Sequence, residues 1–200
     1  MMDKIRTFIT IELPQSVKIV LKRLQIDLGA DKDAFVKWVK PDSIHLTLKF
    51  LGNINPEKTS EISAAMANVA QNTKPFLLSV SQLGAFPNTR SPRIIWVGLT
   101  NDTNILAGLQ KRLDQSLASV GFAMESKTFS PHLTLGRVRN DIRPDQRRAL
   151  AEKLTTTGLK SNPPIRVIAI NLMQSDLTPQ GALYTQLAGI NLSKRLVKAN

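Results

Sequence analysis

The sequence predicts a mixed α and β protein made of two copies of one unit, folded as two lobes that face each other across a cleft. Three observations predict it. The tetrapeptide HLTL occurs twice, as His45-Leu46-Thr47-Leu48 and His132-Leu133-Thr134-Leu135, and the pair uses both histidines of the chain. The histidines are 132 − 45 = 87 residues apart, and a shift by that amount brings other elements into register. The strand at Ile9 falls near Trp96, the helix at Ser16 near Thr103, and the helix at Glu57 on Pro144. Each half then reads strand, helix, HLTL strand, helix, strand, and a long period that occurs only twice signals a duplicated lobe rather than a solenoid.

The elements follow in order from pattern and punctuation. A strand is predicted over Thr7–Leu13, then a helix from about Gln15 that Gly29 terminates. Ile44–Leu51 is a strand ended by Gly52-Asn53, followed by an Ala-rich helix over Glu57–Gln71 and a strand over Phe76–Leu83. The second half continues with a strand at Arg93–Leu99, a helix at Thr103–Val120 and the strand of the second tetrapeptide. A helix at Pro144–Leu154 and strands at Ile165–Asp176 and Leu183–Ile190 complete it. With 200 residues, 42% hydrophobic, and no flexible linker, residues 1–200 read as one domain of two closely joined lobes.

Composition narrows the function classes. There is no cysteine, which removes disulfides, thiolate nucleophiles and zinc–thiolate sites and fits a cytoplasmic location. No apolar run is long enough to span a bilayer, and the start MMDKIRTFIT lacks the apolar core of a signal peptide. The formal net charge of +12 favours polyanionic partners, of which nucleic acid is the commonest.

The tetrapeptides carry the chemistry. Read as a strand, Ile44-His45-Leu46-Thr47-Leu48-Lys49-Phe50 alternates strictly. Ile44, Leu46, Leu48 and Phe50 then share a face packed on helices, and His45, Thr47 and Lys49 share an open face. His132 and Thr134 repeat the arrangement opposite Leu133 and Leu135. Threonine makes up 15 of 200 residues, so Thr two places after both histidines arises by chance about once in 180. Two imidazoles and two hydroxyls converging on a basic cleft suit a phosphate ester. An imidazole titrates near 6.5, so a neutral one can take a proton from water while a charged one gives a proton to a leaving oxygen. Each hydroxyl can donate to a non-bridging phosphate oxygen. This scheme needs no metal and no cofactor. The sequence also lacks an H-E-x-x-H helix, an Asp-rich loop, a phosphate-binding Gly loop and a G-x-S-x-G elbow.

Paired H-x-T-x motifs in the two halves of a chain this size resemble the 2H phosphoesterase superfamily. Within it, the bacterial RNA 2′,3′-cyclic phosphodiesterase family, also called the 2′-5′ RNA ligase (LigT-like) family, is the nearer likeness. It is carried by RTFITIELP at Arg6–Pro14, WVKPDSIHLTLKFLG at Trp38–Gly52, PRIIWVGL at Pro92–Leu99 and FSPHLTLGRVR at Phe129–Arg139. The resemblance implies a bilobal α+β fold in which two antiparallel sheets line a V-shaped cleft, with the helices outside. It implies hydrolysis of a terminal 2′,3′-cyclic phosphate on RNA to a 2′-phosphate, with His45 as proton donor and His132 as proton acceptor. The near symmetry of the site leaves that order open to reversal. Ligation of RNA ends through a 2′-5′ linkage would use the same groups. The implied partner is RNA with such an end, tRNA fragments included, acted on by a monomer with no membrane and no metal.

Family members often carry a basic residue near the phosphate at the place of Arg137. Strict alternation from His132 puts Arg137 on the leucine face, the wrong side, unless Gly136 hosts a bulge that turns it round. The cluster Arg139, Arg143, Arg147 and Arg148 reads as a solvated helix face before an RNA track. Phe8, Phe50 and Phe129 read as core residues, while Trp38 and Trp96 suit either packing or base stacking. Two other functions stay open at this stage. One is an RNA-binding module without turnover, and the other is a phosphodiesterase for small cyclic nucleotides or 2′-5′ oligonucleotides.

Overall fold

A computed structural model of the chain describes residues 3–32, 34–100, 104–179 and 181–193. Apolar residues at helical spacing explain the four α-helices among the described residues. Helix α1 (Gln15–Asp27) buries Val17, Leu21 and Leu24, and α2 (Thr59–Gln71) buries Ile62, Met66 and Val69. Helix α3 (Ile105–Ala118) buries Leu106, Leu109, Leu113 and Leu117, and α4 (Pro144–Thr156) buries Leu150 and Leu154. Each presents one apolar stripe to the sheet and a polar face to solvent. Gly29, at φ 105°, ends α1 as the sequence predicts. The Ala30 amide returns to the Gln25 carbonyl and the Gly29 amide to that of Ile26, closing a Schellman turn. The helix expected from Thr103 is described from Ile105, and its first expected residue lies outside the described residues. None of the described helices is long and apolar enough to cross a membrane.

Among the described residues, nine strands complete the α+β fold. They are β1 (Ile5–Glu12), β2 (Val36–Trp38), β3 (His45–Ile54), β4 (Phe76–Phe86) and β5 (Ile94–Thr100). Then come β6 (His132–Val138), β7 (Ile165–Val167), β8 (Ala169–Thr178) and β9 (Gly181–Asn191). Every pairing is antiparallel, in the order β7-β4-β5-β6-β3-β1-β8-β9 with β2 beside β6. The sheet of one lobe, β3-β1-β8-β9, meets the sheet of the other, β6-β5-β4-β7, through one pair, Leu46 opposite Leu133. The two tetrapeptides thus lie side by side at the junction, where the two-fold relation places equivalent residues next to each other.

Each half sends a late strand to the other lobe. β4 pairs with β5, and β8 pairs with β1. The single strand expected over Ile165–Asp176 is in fact two. β7 pairs with β4 in one lobe and β8 with β1 in the other, and the chain passes between them at exposed Ile168. These exchanges let one hydrophobic core run beneath both lobes. The strand expected to end at Gly52-Asn53 instead continues to Ile54. Gly52, at φ 74°, serves a bulge at which Thr7 faces Gly52 while Phe8 faces Phe50.

Candidate active site

The junction pair fixes the geometry of the site. With Leu46 opposite Leu133 in antiparallel register, His45 stands across from Thr134 and His132 across from Thr47. Leu46 and Leu133 are buried in the core, so these four side chains share the opposite face, the floor of the cleft. The imidazole Nδ1 of His45 lies 2.8 Å from the Ser43 carbonyl oxygen, and that of His132 lies 2.7 Å from the Ser130 carbonyl oxygen. A carbonyl only accepts, so Nδ1 carries the proton and donates in both rings. Each neutral ring then keeps its Nε2 lone pair for the cleft. Neither threonine hydroxyl has a hydrogen-bond partner among the described residues. The repeated Ser-x-His is visible in the sequence, but the bond is to backbone, so serine itself is not what the geometry requires.

Aromatic rings hold the imidazoles. Phe8 stacks on His45 at 4.8 Å between centroids, and Tyr184 meets His45 edge-on at 5.1 Å. On the other side Phe86 meets His132 edge-on at 5.1 Å, and Trp96 lies 6.3 Å away. Gly84 makes room for that tryptophan, since a Cβ there would fall 2.5 Å from the indole ring. Burial lowers the pKa of His45 below the ordinary imidazole value, the Ser43 carbonyl opposes the shift, and the Lys18 charge adds to it. Phe8, expected in the core, is buried but lies on the cleft face. Phe129 packs against the core as expected.

Strict alternation fails just beyond each tetrapeptide. Thr10 faces Thr47 but Ile9 faces Lys49, so Leu48 is an extra residue in β3. Trp96 faces Thr134 but Ile95 faces Gly136, so Leu135 is its counterpart in β6. Each bulge reverses which residues point down. Lys49, expected on the open face, is instead 4% exposed and ion-paired with buried Asp114 of α3. It also donates to the Ala123 carbonyl at 2.7 Å. Phe50, expected in the core, is 61% exposed and takes the cleft face, 6.2 Å from the Phe8 ring. The same reversal puts Arg137 on the cleft face, paired with Lys37 and Ile94. The bulge centres on Leu135 and Gly136 together, and a Cβ on Gly136 would fall 2.7 Å from Val36. A polar side chain from the helix of the other half holds each bulge. Asp114 of α3 takes Lys49, and Gln25 of α1 donates to the Leu135 carbonyl at 2.9 Å.

Around the histidines the walls differ. A groove of about 270 Å³ lies beside His45, lined by Phe8, Thr10, Glu12, Lys18, Asp42 and Tyr184 among others. Tyr184, the sole tyrosine, escaped the sequence reading. It sits on the late hairpin β8–β9, which no motif marks. Burial raises its phenol pKa above the ordinary value, while Arg137 and Arg6 nearby pull the other way. Trp38 packs against the core and Trp96 faces the cleft. Arg139 and Arg143 form exposed pairs with Asp141 and Asp145, and Arg147 donates to Ser91, as a solvated surface would.

The duplication is itself recognisable by comparison. The model of the LigT like phosphoesterase family matches twice in succession, at residues 11–96 and 97–184. The chain belongs to the LigT-like phosphoesterase family. Among its relatives is an RNA 2′,3′-cyclic phosphodiesterase of Methanothermobacter thermautotrophicus, 33% identical over 92% of this chain and 97% of that protein. The protein of the same description from Thermotoga maritima is 34% identical over 91% of this chain and 92% of its own. Among solved structures, TT0787 of Thermus thermophilus superposes with a TM-score of 0.74 at 25% identity, covering 94% of this chain and 97% of that one. E. coli LigT complexed with 3′-AMP gives 0.76 at 23% identity, covering 95% and 99%. The LigT-like fold, a curled antiparallel sheet with two repeated halves and four helices, is therefore the fold of this chain.

Proposed function

We propose that the protein hydrolyses a terminal 2′,3′-cyclic phosphate on RNA to a 2′-phosphate, with His45 and His132 as acid and base. The observation that carries this reading is the matched pair of imidazoles. Each has Nδ1 committed to a backbone carbonyl two residues back, and two threonine hydroxyls, without hydrogen-bond partners among the described residues, stand across from them. His132 Nε2 takes a proton from water as the water oxygen bonds to phosphorus. The bond from phosphorus to O3′ breaks, and His45 Nε2–H gives its proton to O3′. Thr47 and Thr134 donate to the non-bridging oxygens, and Arg137 balances their charge. Solvent exchange then restores both imidazoles.

Burial disfavours the charged His45 ring, so its role as donor requires the incoming phosphate anion to favour the protonated form. Phe50, exposed on the cleft face, offers a ring on which a base can stack. With the 5′-hydroxyl of a second RNA in place of water, the same steps yield a 2′-5′ linkage.

The test is incubation of an RNA oligomer ending in 2′,3′-cyclic phosphate with the protein in EDTA. The product is compared with synthetic 2′- and 3′-phosphate standards. A 2′-phosphate is expected. A 3′-phosphate, or turnover only after a divalent ion is restored, would overturn the scheme.

A further inference from the structure

We infer that Arg6, beside Arg137 and Tyr184, holds the phosphodiester that joins the reacting nucleotide to the rest of the RNA, so that the cleft selects oligonucleotides over mononucleotides. This rests on the phosphodiesterase reading above and extends it to a part of the substrate remote from the chemistry.

Strand β1 carries Arg6 near its start. Its inward residues Thr7, Ile9 and Ile11 are buried in or beside the core, so Arg6, Phe8, Thr10 and Glu12 face the cleft. That face is basic at one end and acidic at the other. Phe8, in the middle, stacks on His45 and so marks the reacting centre. Arg6 is two residues further along, about 7 Å at the rise of a strand, which is the scale of one nucleotide step in an extended RNA. Glu12 lies two residues past Thr10 in the other direction, in a groove of mixed charge where Lys18 and Lys40 accompany Glu12 and Asp42. A chain of phosphates that leaves toward Arg6 meets a guanidinium in place of that mixed groove.

Arg6 is also available. It is exposed, opposite Asn53 of β3, and has no ion pair among the described residues. Arg139 and Arg143, by contrast, are spent on Asp141 and Asp145. Thr7 faces Gln174 of β8, the next residue Ser175 faces Tyr184 of β9, and the Tyr184 ring lies 5.1 Å from that of Phe8. The register thus brings Tyr184 alongside Arg6, and the phenol feels the charges of both Arg6 and Arg137. With Arg137 at the reacting phosphate, the Arg6 guanidinium, which has no carboxylate partner among the described residues, and the neutral Tyr184 O–H suit a second phosphate one step away.

The experiment compares three substrates by kcat/KM. They are a 2′,3′-cyclic mononucleotide, a dinucleotide ending in the cyclic phosphate, and that dinucleotide with an uncharged methylphosphonate linkage. The wild-type protein should prefer the charged dinucleotide to its methylphosphonate analogue by about tenfold. Arg6→Gln should erase most of that preference, with thermal unfolding recorded to confirm a folded variant. Equal rates on the two dinucleotides by the wild type, or an undiminished preference in Arg6→Gln, would overturn the inference alone. Failure of the wild type to turn over any of the three would overturn the activity reading and the inference with it.

Discussion

Phe50 and Arg137 stand at the same position in the two halves, five residues beyond the histidine and turned to the cleft by matching bulges at Leu48 and Leu135. The floor of the site is nearly symmetric, but this pair is not. An aromatic ring faces the cleft in one half and a guanidinium in the other, so under the proposed function a nucleotide would have a preferred direction across the two histidines. Phe50→Ala should weaken substrate binding by about tenfold or more, the scale of one base stacked on a ring. Arg137→Ala should lower kcat/KM and also flatten its dependence on salt, because a phosphate contact has gone. Steady-state kinetics at several ionic strengths check both. A Phe50→Ala variant that alters the salt dependence instead would reverse the assignment of the two walls.

The bulges also show where the sequence stops being readable. The tetrapeptides, the 87-residue register and both catalytic candidates were visible because they depend on local pattern and repetition. Face assignment by alternation assumes one residue per ladder step. It held through Leu48 and Leu135, then failed at Lys49 and Phe50, because the extra residue is specified by pairing with β1, some forty positions earlier in the chain. Gly136 gave a hint in the second half, and no glycine gives one at Lys49. β2 is three residues long and gains its place only by pairing with β6. The break at Ile168 was hidden because both flanking segments are apolar, and only the topology divides them between lobes.

Folding should report the burial of His45. Burial lowers its pKa in the folded state, so between that value and about 6.5 the unfolded chain binds more protons than the folded one. Stability therefore rises with pH through this window and falls as pH drops through it. Thermal unfolding at about pH 7.5 and about pH 5 should show a smaller acid-side loss for His45→Gln than for the wild type. Equal losses would mean that the ring is accessible in solution. The His45 ring proton should titrate below the ordinary value by NMR, and inorganic phosphate should move it upward.

Catalysis and stability should separate along each tetrapeptide. His45→Ala and His132→Ala should each cut turnover by about 10²–10⁴-fold. Thr47→Ala and Thr134→Ala should cost up to about 10²–10³-fold, the scale of one oxyanion donor. The side chains lost face the cleft, so unfolding temperatures should barely move. Leu46→Ala and Leu133→Ala remove side chains that are 1% and 0% exposed and should destabilise the fold by roughly 2–5 kcal/mol. Turnover and thermal unfolding of all six variants check this. Histidine variants that lose activity only by unfolding would remove the acid–base scheme.

Lys49 tests whether the bulge in β3 depends on its buried ion pair. Its ammonium meets the Asp114 carboxylate and the Ala123 carbonyl, and Asp114 also accepts from the Glu125 amide. The pair thus ties β3, the strand of His45, to α3 and to the segment after α3. Lys49→Met leaves Asp114 buried without its cation and should cost about 3–5 kcal/mol. Adding Asp114→Leu removes the stranded charge, so the double variant should recover much of the stability, as paired apolar replacements often do. Stability alone does not show what the pair does for the site, so activity of the double variant is the informative measurement. If Lys49 fixes the bulge, Phe50 loses its aim toward the cleft, and the stable double variant should show a raised KM resembling that of Phe50→Ala. A double variant with wild-type KM would show that the bulge is set by backbone pairing with β1 and that the ion pair serves the core alone.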